Sequence, residues 1–173
     1  MVRIGIIGPE SVGKSSLCRT LSERYGYRWI KEYAREFVEQ LHRMYTYEDV
    51  LHIARQQIAE LHTNFPETVV LYDTELIITK VWMKHVFGKV APEVEQAIQE
   101  QPMDMYILLT PDIPAEPDSV RENLDRREYF FEWYIREVKL THRPYFIVSG
   151  EGEIRTYAAN EAITGYMTSC ANN

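Results

Sequence analysis

Five short apolar runs punctuate the chain, at Val2–Ile7, Tyr27–Ile30, Thr68–Tyr72, Met105–Leu109 and Tyr145–Val148. Each is nearly continuous rather than alternating, the pattern of strands covered on both faces of a parallel sheet. Helical patterns lie between them, over Lys14–Arg24, Ala34–Leu41, Thr46–Leu61, Glu75–Phe87 and Asp125–His142. Thr46 is a natural N-cap with Asp49 three residues on, and Val50, Ile53, Ala54, Ile58 and Leu61 then share one side. Gly88 directly after Phe87 is a good C-cap residue. Strands alternating with helices predict βαβ units. The expected fold is a three-layer α/β domain with a central parallel sheet of about five strands, helices on both faces and a small helical lid.

Size and composition narrow the function classes. The 173 residues are most simply one domain, with the lid over residues 112–130 and a frayed tail from Ser169 to Asn173. Formal charge is −7 with no dense basic run, so nucleic acid is not the expected partner. No apolar run approaches the roughly 20 residues that span a bilayer, and the N-terminal run leads straight into a glycine loop rather than a cleavage site. No membrane partner and a cytoplasmic location are expected. Cys18 and Cys170 are too few for a disulfide framework and are read as reduced thiols. His42, His52 and His62 recur every ten residues, which leaves them off a common helix face and argues against a metal site.

The glycine loop carries the chemistry. Residues 8–16 read GPESVGKSS, which fits GxxxxGK followed by Ser or Thr, between an apolar strand and a helix as the motif requires. Gly8 and Gly13 let the backbone curl. The amides of Glu10, Ser11, Val12, Gly13, Lys14, Ser15 and Ser16 can then face phosphate oxygens at a helix N-terminus. Lys14 is the candidate to reach the transferred phosphate, and the Ser15 hydroxyl the candidate Mg²⁺ ligand. The expected ligands are ATP and Mg²⁺.

A guanine-nucleotide switch would carry a late Asn-Lys-x-Asp-like motif, and none is present. A motor ATPase would follow Asp73 with a second acid, and Thr74 stands there instead. Arg121, Arg126 and Arg127 instead cluster before and inside the helix after the Pro-rich loop. Asp125 and Glu128 resemble a capping box there, and cations in a first turn oppose the macrodipole unless something compensates them. They are read as a lid, with Arg121 and Arg126 catalytic and Arg127 on ATP, against a solvated-face alternative. Asp73, ending the third strand, is a candidate for the Mg²⁺ shell or the acceptor hydroxyl. Glu32 is a candidate acceptor-site group and candidate base, or else a carboxylate at a helix start. Arg35 is a candidate to hold a carboxylate or phosphate, or to pair with Glu32. Tyr33 and Trp82 are candidate acceptor-pocket rings, and the turn near Ser149–Gly152 a candidate adenine site.

In order, GPESVGKSS, Glu32-Tyr33-Ala34-Arg35-Glu36, Tyr72-Asp73-Thr74-Glu75, and Arg121 with Asp125-Arg126-Arg127-Glu128-Tyr129-Phe130 resemble the ribosylnicotinamide kinase domains of the NadR type. The resemblance spans about residues 2–165 and implies ATP-dependent phosphorylation of the 5′-hydroxyl of a riboside, nicotinamide riboside first, giving the mononucleotide used for NAD. The family pattern has an aromatic residue directly before Glu-Tyr, where this chain has Lys31. That exchange removes a stacking ring and adds a like charge beside a cationic pyridinium. Trp29, Tyr33 and Trp82 are the candidate replacements. From another class, a regulatory ATPase or nucleotide-sensing module is the rival reading.

Overall fold

The structure is a computed structural model that describes residues 1–100, 103–116 and 123–171. The five apolar runs form one parallel sheet. Its strands are β1 (Val2–Ile7), β2 (Arg28–Ile30), β3 (Val69–Asp73), β4 (Met105–Leu109) and β5 (Tyr145–Val148), in the order β2-β3-β1-β4-β5. Within each central run, alternate residues serve different layers. Ile4, Ile6, Val69, Leu71, Met105 and Ile107 pack with α1 (Lys14–Tyr25) and with Ala159 and Ile163 of α7 (Gly152–Ala171). Val70, Tyr72, Tyr106 and Leu108 belong to the opposite layer. That layer is formed by α3 (Tyr47–Leu61), α4 (Leu76–Phe87), α5 (Pro92–Glu100) and α6 (Arg127–Leu140), and α2 (Tyr33–Gln40) adjoins α3. Burying both faces explains why the strands lack polar alternation.

The expected Thr46–Asp49 capping box forms, and Gly88 caps α4 in the left-handed region. Four expectations change. β5 is an edge strand, with Phe146 39% and Ile147 51% exposed, so its apolar run does not mean burial on both faces. The Asp125–Glu128 box does not form, because a 3-10 turn at Leu124–Arg126 precedes α6 and the cap position falls on Arg126, whose side chain caps nothing. α5 and α7 were not legible as helices. Finally, α7 continues through Ser169–Ala171 of the tail expected to fray, and residues 172–173 lie outside the described residues. Cys18 is buried and Cys170 exposed, both free. Among the described residues, no helix is long and apolar enough to cross a membrane.

Candidate active site

The sheet brings the phosphate loop and the acids to one edge. β3 pairs directly with β1, placing Asp73 opposite Ile6, two residues before Gly8. A Cβ on Gly8 would lie 2.8 Å from Val12 Cγ2 and 3.0 Å from the Leu109 carbonyl oxygen, so only glycine fits. Gly13 opens α1 at φ 78°, and Ser11 also takes a positive φ of 57°. Strained backbone of this kind persists only where its surroundings enforce it. Lys14 Nζ donates to the carbonyls of Gly8, at 2.9 Å, and Pro9, at 3.0 Å, which arches the loop over its own cation.

The loop is held from behind by contacts the sequence did not announce. Arg155 on α7 is 4% exposed and donates to the Val12 carbonyl, to the Thr110 carbonyl at 3.2 Å, and to Asp112. Asp112 in turn accepts from the Gly150 amide at 2.6 Å, fixing the turn after β5. Arg127 donates to the Ser11 carbonyl at 3.2 Å and the Ile113 carbonyl at 2.9 Å. Glu10 accepts from the Asn123 amide at 2.9 Å, and the Ser11 hydroxyl accepts from the Glu116 amide at 2.7 Å. The described parts of the segment expected as a lid, residues 112–116 and 123–130, are thus bonded to the loop. Arg127 is compensated by carbonyl oxygens, and Arg126 lies over the Tyr129 and Phe130 rings, at 4.6 and 5.6 Å, lining neither cavity described below. Arg121 falls outside the described residues.

Asp73 is 1% exposed, and neither carboxylate oxygen reaches a hydrogen-bond partner. Burial pushes its carboxyl up, with the facing Ser15 hydroxyl, Lys14 and the Trp29 indole offsetting part of the effect. The Trp29 indole nitrogen is itself buried without a partner. Buried polar atoms left unpaired are costly and point to a missing companion. The residue after Asp73 is strained too, with Thr74 at φ 69°. It is pinned by Gln57, which donates to the Thr74 carbonyl at 3.2 Å and accepts from the Thr79 hydroxyl at 2.7 Å. Glu32 occupies the N-cap position of α2 without capping it. Burial raises its carboxyl, Lys14 and Arg35 lower it, and Asp73 raises it further. Two acids and a lysine therefore share one electrostatic site.

A cavity of about 950 Å³ joins these groups, lined by Gly8–Ser16, Glu32, Arg35 and Asp73 and reaching an aromatic end at Tyr45, Trp82, Phe130 and Tyr134. Trp82 meets Tyr45 edge-on, with ring centroids 4.9 Å apart. The segment from His42 to Tyr45 is anchored by Arg43, whose two bonds to Asp49, at 2.6 and 2.9 Å, hold that carboxyl well below its usual range. Arg35 pairs with Glu39, at 3.2 Å, rather than with Glu32. Tyr33 does not line the cavity, since its hydroxyl lies 3.1 Å from His52 and its ring packs by Phe37. A second cavity of about 400 Å³ opens on the other flank of the loop, among Gly13, Thr20, Ile113, Pro114, Gly152 and Arg155. It adjoins the turn expected to admit adenine.

An amide cradle, a lysine, a serine hydroxyl and a buried unpartnered aspartate fit a nucleoside triphosphate with a divalent cation. Among the described residues there is no cluster of three His, Cys, Asp or Glu side chains that could hold a metal ion. Fold and site define a P-loop α/β domain built on a five-stranded parallel sheet. The chain matches the AAA domain family (AAA_28) over residues 3–155, and it belongs to that family.

The NadR resemblance also holds. The chain is 27% identical over 135 residues to the trifunctional NAD biosynthesis/regulator protein NadR of Escherichia coli K12, and 26% identical to that of Salmonella typhimurium. Each match covers 73% of this chain and 33% of the relative, so the chain aligns with about a third of the length of these relatives. By structure, it resembles NadR in complex with NR, with a TM-score of 0.83 and 24% identity over 95% of this chain and 51% of the other. It resembles a deoxyadenosine kinase of M. mycoides with bound dCTP at a TM-score of 0.65 and 16% identity, over 97% of this chain and all of the other.

Proposed function

We propose that this domain is an ATP-dependent kinase that transfers the γ-phosphate to the 5′-hydroxyl of a riboside, with nicotinamide riboside the leading acceptor. The observation that carries the reading is the continuous cavity from the phosphate loop, past Asp73 and Glu32, to an aromatic end. A nucleotide sensor or slow ATPase needs no second chamber of that size, and it leaves Glu32 and the rings without a role. The resemblance to NadR domains supports the acceptor class.

In this reading the loop amides and Lys14 neutralise phosphate charge, and Ser15 and Asp73 would hold magnesium, which would supply further positive charge against the transferring phosphate. Glu32 takes the hydroxyl proton. A carboxyl raised by burial is a better base than an exposed one. Arg155 and Arg127 act at one remove, holding the loop in shape. Adenine occupies the smaller cavity beside Arg155.

The test is ADP release by the purified protein with Mg-ATP and a panel of ribosides. At least one riboside, nicotinamide riboside first, should raise the rate well above buffer alone and yield a 5′-monophosphate. A panel that leaves the rate at the buffer level contradicts the proposal.

A further inference from the structure

The cations that line the large cavity differ in how they are compensated. Lys14 is satisfied by two loop carbonyls, Arg35 pairs with Glu39, and Arg43 pairs with Asp49. Arg19 and Lys31 have no such partner among the described residues. Each instead lies by the ring of Trp29, with the Arg19 guanidinium carbon 5.8 Å and Lys31 Nζ 5.5 Å from its centroid. All three residues line the cavity. Glu36 also lines it, but forms no ion pair with either cation.

The indole fixes where these charges stand. A cation against a ring face gains modestly, and its remaining donors stay available to a ligand. Trp29 is the second residue of β2, in register with Leu71, and Lys31 follows that strand immediately before Glu32. Arg19 lies one helical turn beyond Ser15 on α1. Lys31 thus adjoins Glu32, an acid of the reading above, and Arg19 lines the same cavity.

We infer that Arg19 and Lys31, set against Trp29, form an anion subsite of the acceptor chamber, so that the preferred acceptor carries an anionic oxygen group, a carboxylate on the base of a riboside. This inference rests on the acceptor reading of the cavity and replaces nicotinamide riboside, the leading acceptor of that reading, by its carboxylate form. A carboxylate would receive charge-assisted hydrogen bonds from both side chains. A neutral carboxamide on the same cationic pyridinium would gain nothing comparable and would meet repulsion from Lys31.

Nicotinic acid riboside and nicotinamide riboside are matched probes, differing only in carboxylate against carboxamide. Calorimetric titration of each into the protein with Mg-ADP should show the carboxylate form bound about tenfold more tightly at low salt, as two partly exposed ion pairs allow. Lys31→Ala and Arg19→Ala should each reduce that ratio several-fold, Lys31→Arg should keep it, and added salt should shrink it. A ratio of one or below, a ratio untouched by both alanine substitutions, or no binding of either riboside overturns the subsite. A preference that survives without any phosphoryl transfer keeps the subsite and contradicts the kinase reading. Efficient transfer to the amide form, bound equally well, does the reverse.

Discussion

Replacing Glu75 by glutamine removes a titratable proton from the protein interior while keeping the oxygen that caps α4. Glu75 is 5% exposed, and its Oε1 accepts from the Ile77 amide at 2.9 Å. Burial pushes its carboxyl up to about 8 from an ordinary 4.5, against the smaller lowering effect of the Ile77 and Leu76 amides. The folded state therefore binds this proton more tightly than the unfolded chain does. Its contribution to stability is complete below the unfolded value and is lost as pH rises through the folded one. At about 1.4 kcal/mol per pH unit, the loss is roughly 1 kcal/mol at pH 5, 3 at pH 7 and 4 at pH 8. Glu75→Gln has no such slope. The amide nitrogen it introduces carries a fixed cost, which shifts the stability difference but does not tilt it. Urea denaturation of both proteins at pH 5, 6, 7 and 8 should show the difference moving in favour of the variant by about 3 kcal/mol across that span. Subtraction cancels Glu32, Asp73 and Glu60, whose carboxyls burial also raises. A difference that stays flat from pH 5 to 8 would refute the reasoning.

Lys14→Ala should lower kcat on the order of 10²-fold or more, as loss of one transition-state charge does, while the urea midpoint stays close to the parent. Full turnover would contradict the role assigned to Lys14. Asp73→Asn should retain nucleotide binding by calorimetry and lose turnover, since it removes the carboxylate charge from beside Ser15. An unchanged rate would show the acid to be misassigned. Arg155→Met strands the Val12 and Thr110 carbonyls and the Asp112 carboxylate, and should cost about 3 kcal/mol in urea denaturation. It should also weaken ATP binding more than acceptor binding. A loss below about 0.5 kcal/mol, the usual range for a surface substitution, would remove Arg155 from the loop's support.

The layers and the loop were legible because each rests on local rules. A continuous apolar run between helical patterns reads as a strand of a parallel sheet, and the glycine loop must curl wherever that spacing follows a strand. The edge position of β5 was not legible, because an edge strand can carry the same apolar run as a central one. α7 escaped because its inward stripe of Arg155, Ala159 and Ile163 begins with an arginine, and a buried arginine looks like a surface residue until Val12, Thr110 and Asp112 are in place around it. The placement of Asp73 and Glu32 in one cavity with the phosphate loop was legible from their positions at strand ends. Arg126 and Arg127 suggested an anion because cations oppose a helix N-terminus, yet carbonyls from Ser11 and Ile113 and two rings compensate them. That depends on long-range contacts no local pattern encodes. Tyr33 is next to Glu32 in sequence but turns toward His52, since neighbours on a helix point about 100° apart.

The account stands on where the terminal phosphate goes. Incubation of the protein with Mg-ATP labelled in its γ-phosphate and with nicotinamide and nicotinic acid ribosides, followed by separation of the products, measures that directly. The account predicts most of the released label on the 5′-position of a riboside and little as inorganic phosphate. Label appearing solely as inorganic phosphate, at a rate neither riboside alters, would contradict it.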